Sequence, residues 1–247
     1  MDRRQTPGSE GAMSLPVDFR FMKKIYAEKN SLLLIGLSCL CAASLQADEL
    51  VPLKPKLPAP AFVGTPKDVP VGANVEAPSD KPKPPLMVPG DVKNVAPGSK
   101  ITSSDTNAAA NALAKITDGD KEAFDTSIVL LRKGTQYVQF DLGSAQEIFA
   151  IVFWHAHDAP KIYRNVIVQV ADDAGFTENV RTLFNNDIEN SSGRGVGTDK
   201  QYFETFEGRT VDAKGAKARV VRLYSKGSTD SALNEYTEVE IYARPAK

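Results

Sequence analysis

The sequence predicts an all-β domain, a sandwich or jelly roll of antiparallel strands, behind a signal peptide and a proline-rich disordered linker. Three observations carry that expectation. Short alternating or wholly apolar runs recur through the last ~150 residues, each bounded by turn residues. No long amphipathic helix separates them, so there is no crossover with which to build a parallel sheet. Finally, 12 of the 16 prolines fall between residues 52 and 97, ahead of those runs.

The first element is the run 31–45, SLLLIGLSCLCAASL, which follows Lys23, Lys24 and Lys29 and precedes Ala47. A basic start, a short apolar middle and a small-residue exit describe a secretory signal peptide. The run is shorter than the about 20 apolar residues that a membrane span needs. Cleavage is expected after Ala47, or alternatively after Ser44, and Met22 is the expected start, with 1–21 upstream of it. Both cysteines, Cys39 and Cys41, lie inside the signal. The mature protein then has no disulfide, thiol nucleophile or cysteine-ligated zinc. Its 24 basic and 27 acidic residues leave a net charge of −3. Without a basic excess, nucleic acid is not an expected partner. The expected mature form has no transmembrane span and is secreted, periplasmic or held at the cell surface.

Residues 48–93 form the expected linker. Proline removes backbone donors and fixes φ, which disfavours helix and central strand alike. Large apolar residues are sparse, so a semi-extended, polyproline-like tether is expected.

From residue 94 to 247 the composition becomes that of a folded domain. The stretch 108–116 (AAANALAKI) has helix-forming composition but is short. The run 137–142 places Val138, Phe140 and Leu142 on one face, and Gly143 is expected to end it. Residues 148–155 (IFAIVFWH) are apolar on both faces, as in a central strand. Further strands are expected at 166–170, 219–224 and 237–242.

Enzyme signatures are lacking: neither a Gly-x-Ser-x-Gly elbow nor a phosphate-binding loop occurs. Asp and Glu are plentiful, but nothing singles out a catalytic pair. His155 and His157 have the i, i+2 spacing that puts two rings on one strand face, a metal pair or simply a strand end. Thr117-Asp118-Gly119-Asp120 supplies hard oxygens on a tight bend, which suits calcium or an ordinary turn. The stretch 185–200 is polar and glycine-rich. Asp187, Glu189 and Ser191 alternate there as in a calcium loop, but the glycine and the final glutamate of an EF-hand are misplaced. Trp154, with Tyr163, Tyr202, Tyr224 and Tyr236, could form a sugar-stacking platform or pack the core. His157, Arg164 and Asn165 are the hydroxyl-bonding candidates beside it. The ligand-site candidates are thus Trp154, His155, His157, Tyr163 and Arg164.

The order of the segments NALAKITDGD (111–120), YVQFDLG (137–143), IFAIVFWH (148–155), YRNVIVQVADD (163–173), ARVVRLYS (218–225) and YTEVEIYA (236–243) resembles the discoidin, or coagulation-factor type C, family. The resemblance covers nearly all of 94–247 and implies the galactose-binding-like jelly-roll fold. It departs at Phe124, Asp125 and Thr126, where relatives often carry a tryptophan, and in the inserted stretch 185–199. It also implies a structural calcium. The ligands would be the Lys115 carbonyl, the Asp118 carboxylate, the Asp120 carbonyl, the hydroxyl of Thr126 or Ser127, and Glu238. The function it implies is a secreted, non-catalytic module that binds a glycan or a cell-surface or matrix polymer through loops at one end of the sandwich. Two alternatives stay open: a protein-binding adhesion or structural protein, and a glycan-active hydrolase.

Overall fold

The computed structural model describes residues 48–62, 72–77, 79 and 81–246, all within the unit Ala47–Lys247. The expected signal peptide lies outside the described residues. In chain order the strands are β1 (Leu50–Pro52), β2 (Met87–Pro89), β3 (Lys93–Asn94), β4 (Lys100–Ser103), β5 (Val129–Leu131), β6 (Gln136–His155), β7 (Ile162–Tyr163), β8 (Ile167–Ala171), β9 (Arg181–Asn185), β10 (Tyr202–Phe203), β11 (Arg209–Ser225) and β12 (Asn234–Pro245). Between β4 and β5 lie one turn of helix, α1 (Ala110–Leu113), and a 3₁₀ turn, Ala114–Thr117. Every pairing between these strands is antiparallel.

β6 and β11 are much longer than the sequence suggests, at 20 and 17 residues. Gly143 does not end its strand, because at φ +81° it turns a corner and the ladder continues. On β11, Lys214 and Gly215 take φ +52° and +73° in a bulge between Asp212 and Ala216, opposite Ile148–Ala150, and the β6–β11 register shifts again between Ala218 and Val220, opposite the Gly143 corner. Bulges of this kind bend a strand and increase its twist. The sheet order β3-β12-β6-β11-β8-β9, with β4 also on β6 and β5 also on β12, therefore folds over on itself. One layer holds β4, the first half of β6, the second half of β11, β8 and β9. The other holds β3, β5, β12 and the remaining halves of β6 and β11. The core between them includes Val138, Phe140, Ile151, Phe153, Val168, Val170, Val221, Leu223, Val239 and Ile241. Each fully buried side chain of this kind contributes about 1.5–3 kcal/mol.

The alternate residues of β6, Ala150, Val152 and Trp154, are fully buried yet lie outside that core. The proline-rich segment covers this outer face, which corrects the expectation of a free tether for 48–93. β1 pairs with β2, and Val88 of β2 is buried. Arg244 binds Asp48 and Asp91 in the segment. The Ala59 N–H donates to Glu122 Oε1, the Glu76 N–H donates to the Gln201 carbonyl, and Glu76 pairs with Arg209. A groove of about 750 Å³ runs between Leu53–Leu57 and Pro82–Leu86 on one side and Glu207–Arg209 on the other. Proline is compatible with a two-stranded edge ribbon, where half the donors face outward. The few apolar residues suffice because they cap a face that is already apolar.

Gly208 marks how close this packing is. It has φ +67°, and a Cβ there would lie 2.6 Å from the Trp154 ring. The ring itself is fixed by its Nε1–H donating to the Phe206 carbonyl at 2.9 Å. Gly208→Ala is expected to destabilise by about 2–4 kcal/mol, from left-handed backbone strain and overpacking together. Chemical denaturation measures this, and a loss under about 0.5 kcal/mol would show that the loop yields. A chain beginning at residue 94 is expected to melt well below one beginning at residue 47, with lower urea resistance. Equal stability of the two would mean that the segment merely rests on the sheet.

Candidate binding site at the loop end

Because β6 and β11 fold over, both ends of each return to one end of the sandwich. Asn234, at the start of β12, fixes that convergence. Its buried amide donates to the carbonyls of Arg132 and Gly134 and accepts from Ser225 Oγ and the Gly227 N–H. The loop 226–233 is also tied to β7. Ile162 N–H donates to Thr229 Oγ1 at 3.0 Å, and Thr229 N–H returns to the Ile162 carbonyl at 3.1 Å.

Between those loops sits Lys161, whose side chain is almost wholly buried. Its Nζ lies 2.9 Å from Asp158, 3.3 Å from Glu235 and 3.7 Å from Asp230. Burial alone would lower the Lys161 pKa. The bonds to Asp158 and Glu235 outweigh it and raise the ammonium above its usual range. Glu235 Oε2 also accepts from the Tyr163 hydroxyl at 3.2 Å. Burial, reinforced by the Glu235 charge, pushes the Tyr163 phenol well up, so it stays a neutral donor. Asp158 and Asp230 are 51% and 63% exposed. The end therefore presents fixed carboxylates around one ammonium. The sequence hints at only one of these contacts, the Asp158–Lys161 spacing; Asp230 and Glu235 come from ~70 residues away.

The aromatic platform expected from the sequence does not face solvent. Trp154, His155 and Tyr163 are 0% exposed and His157 is 1% exposed. Tyr202, Tyr224 and Tyr236 are buried as well. A strand that is apolar on both faces needs cover on both; the core takes one face, and on the other Gly208, Phe206 and Lys121 close over Trp154. His155 stacks on Tyr163 at 4.2 Å between ring centres, and its Nδ1 faces Glu204 Oε2 at 3.1 Å. His157 Nε2 donates to the Lys121 carbonyl at 2.9 Å. The two histidines thus have separate partners and do not form a joint metal site. Of the five ligand-site candidates only Arg164 is exposed, and among the described residues it has no carboxylate partner. Phe124, in the segment after the Asp118–Asp120 turn, is an exposed aromatic at 65%.

The turn after the 3₁₀ segment meets the last strand as the resemblance implies. The Gly119 N–H donates to Glu238 Oε2 at 3.1 Å across 119 residues. Asp118 Oδ1 accepts the Asp120 N–H, and Ser127 Oγ donates to Asp120 Oδ2 at 2.7 Å. The Lys115 carbonyl accepts the Asp118 N–H, while its ammonium donates to the Thr126 carbonyl. Burial raises Glu238 to about 8, partly offset by the Gly119 N–H. The donors near it are all oxygen, which fits calcium chemistry. Among the described residues no three Asp, Glu, His or Cys side chains converge to hold a metal by themselves, so carbonyls and a hydroxyl would have to complete the set.

The glycine-rich loop 185–199 is not an EF-hand-like calcium loop. Both oxygens of Asp187 are taken by the N–H groups of Ser191 and Ser192. Burial would raise the Asp187 pKa, but these bonds outweigh it and hold it below the usual carboxylate range. Asn190 Oδ1 accepts the Gly195 N–H, and Asn185 Nδ2 donates to the Gly195 carbonyl. The loop is built around its own side chains and leaves Arg194 at its tip.

Among the described residues no helix is long and apolar enough to cross a membrane. No family model and no curated protein matches the chain. Solved structures do. A fucose-binding module of Streptococcus pneumoniae matches at 16% identity and TM-score 0.43, over 61% of this chain and 97% of that one. The CBM32 domain of AlyQ, solved with 4,5-unsaturated mannuronic acid, matches at 17% and 0.41, over 57% and 92%. A chitosan-binding module from a chitosanase/glucanase of Paenibacillus sp. IK-5 matches at 20% and 0.38, over 61% and 98%. A family 89 glycoside hydrolase of Clostridium perfringens matches at 13% and 0.44, over 62% of this chain but only 15% of the enzyme.

Proposed function

We propose that the protein is a non-catalytic, discoidin-like carbohydrate-binding module, delivered outside the cytoplasm, that takes its glycan at the loop end. One observation carries this reading: Lys161 held among Asp158, Asp230 and Glu235 on loops that are tied to one another. Carboxylates accept from sugar hydroxyls and bond them more strongly than neutral groups do. Their fixed geometry reduces the ordering cost of binding. Arg164 adds a donor, and exposed Phe124 offers a ring face for sugar C–H groups.

In titration calorimetry against a panel of mono- and oligosaccharides, Asp158→Asn with Asp230→Asn is expected to weaken the best ligand about tenfold or more. Glu235 still pairs with Lys161 in that variant, but a buried ammonium that loses two of its three carboxylates is expected to cost about 1–3 kcal/mol of stability, so affinity is read at a temperature where the variant is shown to be folded. Undiminished affinity in that double variant would remove the loop end from consideration. Binding of a protein but of no sugar would favour the adhesion alternative.

The same reading includes a structural calcium held by the Lys115 and Asp120 carbonyls, the Asp118 and Glu238 carboxylates and the Ser127 hydroxyl. The ion would neutralise a buried carboxylate that otherwise favours its proton, and would link the early turn to the final strand. An ion bound only by the folded state stabilises it. A strong chelator is therefore expected to lower the melting temperature, and Asp118→Ala to abolish the difference between chelated and calcium-loaded samples. An unchanged melt in protein shown by elemental analysis to be metal-free would count against the ion.

A further inference from the structure

The outer face of the five-stranded layer carries positive charge that the protein does not balance. Cross-strand register aligns Thr102, Gln139, Arg222, Gln169 and Thr182 as one polar rung over β4, β6, β11, β8 and β9. Their sequence neighbours Val138, Phe140, Val168, Val170, Val221 and Leu223 point into the core, so this rung faces outward. The Arg222 guanidinium lies between two rings, 4.1 Å from Tyr137 and 3.9 Å from Phe176. Its Nε and Nη2 donate to Gln139 Oε1, and its Nη1 donates to the Tyr224 hydroxyl at 3.1 Å. Every one of these partners is neutral. Arg194 reaches the same Tyr224 ring, 5.0 Å from its centre.

The neighbouring arginines behave differently. Arg181 pairs with Asp172, and Arg219 pairs with Asp141 through two bonds of 2.8 Å. Among the described residues Arg194 and Arg222 have no such carboxylate. The placement is also built rather than incidental. Arg194 stands between Gly193 and Gly195, both at positive φ, on the loop that Asp187, Asn185 and Asn190 brace. Phe176 holds its ring over Arg222 from a left-handed backbone at φ +60°, a costly conformation for a bulky residue. Gln169, 6% exposed, leaves its Oε1 without a partner on this rung while its amide donates to Thr182.

We propose that this face is a second binding surface and that it takes a carboxylate-bearing polysaccharide. Arg194 and Arg222 would contact the carboxylates of such a chain. Guanidinium recognises carboxylate in a planar fork, and the flanking aromatic rings and amides match the apolar faces and hydroxyls of sugar rings. Two guanidiniums on a chain of net charge −1 are too few for a phosphate backbone, which is gripped by many cations at once. That a glycan bears the carboxylate rests on the proposed function; the charge argument does not.

The test uses the full chain with trigalacturonate, trimannuronate, the methyl ester of trigalacturonate and poly-glutamate at low and moderate salt. Wild type is expected to bind at least one of the two uronates but not the ester, more weakly as salt rises. Arg194→Ala, on an exposed loop tip, is expected to cost about tenfold in affinity without shifting the melt, and Arg194→Lys to restore only part of it. Arg164→Ala, at the loop end, is expected to leave this binding unchanged. The proposal is overturned by absent binding of both uronates, by equal binding of the ester, or by equal affinity in Arg194→Ala. It is equally overturned if poly-glutamate binds as tightly, or if only Arg164→Ala loses the uronate. Failure of neutral sugars to bind the loop end would leave the uronate result standing, so the two readings fail separately.

Discussion

The whole molecule depends on two strands that each belong to both layers. In a sandwich of separate strands, the layers are joined by loops and can shear past one another. Here β6 and β11 pair along almost their full lengths, on both sides of their corners. Neither layer can shift without breaking the ladder of the other. Gly143 and Gly215 sit at two successive register shifts of that pairing, at φ values that a side chain seldom adopts, and the bulges there bend the two strands together. The same arrangement separates the ends: the corners occupy one, and the loops that carry polar side chains gather at the other.

At the loop end, burial and polarity meet, and the structure resolves the conflict with amides more than with ions. Asn234 and Asn186 are wholly buried, and each uses its oxygen and nitrogen to join segments distant in sequence. A buried amide that finds its partners has no charge to desolvate, and it fixes one arrangement of the loops where an apolar residue would allow several. Lys161 is one exception, and Glu204, buried against His155 Nδ1, is another; Lys161 is the one that reaches solvent-facing partners. Its ammonium tolerates burial because carboxylates surround it, and those carboxylates remain available to solvent on their other side.

Much of the fold was legible in the sequence, because alternation and apolar runs report strands directly. The runs around Phe140, Phe153, Val168 and Leu223 fall on strands as expected, and the Asp118–Asp120 turn does meet Glu238. What covers a strand was not legible. The run 148–155 is apolar on both faces, and that pattern says only that both faces are buried. It does not say that the proline-rich segment packs on the sheet, or that Gly208 and Lys121 close over Trp154, and so Trp154 read as a possible platform. Composition misled there, because proline argues against regular structure of its own but not against packing on a sheet that already exists. The binding candidates were illegible for a related reason. Asp230 and Glu235 reach Lys161 through the packing of loop 226–233 against β7, and Thr102, Gln139, Arg222, Gln169 and Thr182 are aligned by strand register, neither of which a local pattern encodes.

Charge pairing then distinguishes surfaces that geometry alone leaves alike. Arg209, Arg219 and Arg244 each meet a carboxylate, and in two of the three the partner comes from the proline-rich segment. Those ion pairs fasten structure to structure, and the work of each guanidinium is internal. A guanidinium whose partners are all neutral is in a different position. Stacking on Tyr137 and Phe176 compensates Arg222 for lost water only in part, since a ring quadrupole is a weaker partner than a carboxylate. The residual field of Arg222 and Arg194 adds at the one ring they share. Folding alone does not require that arrangement: an acidic residue at position 182, beside Gln169 on the rung, would supply a compensating charge without touching the core. The positive field at Tyr224 therefore marks where an external carboxylate is accommodated at least cost.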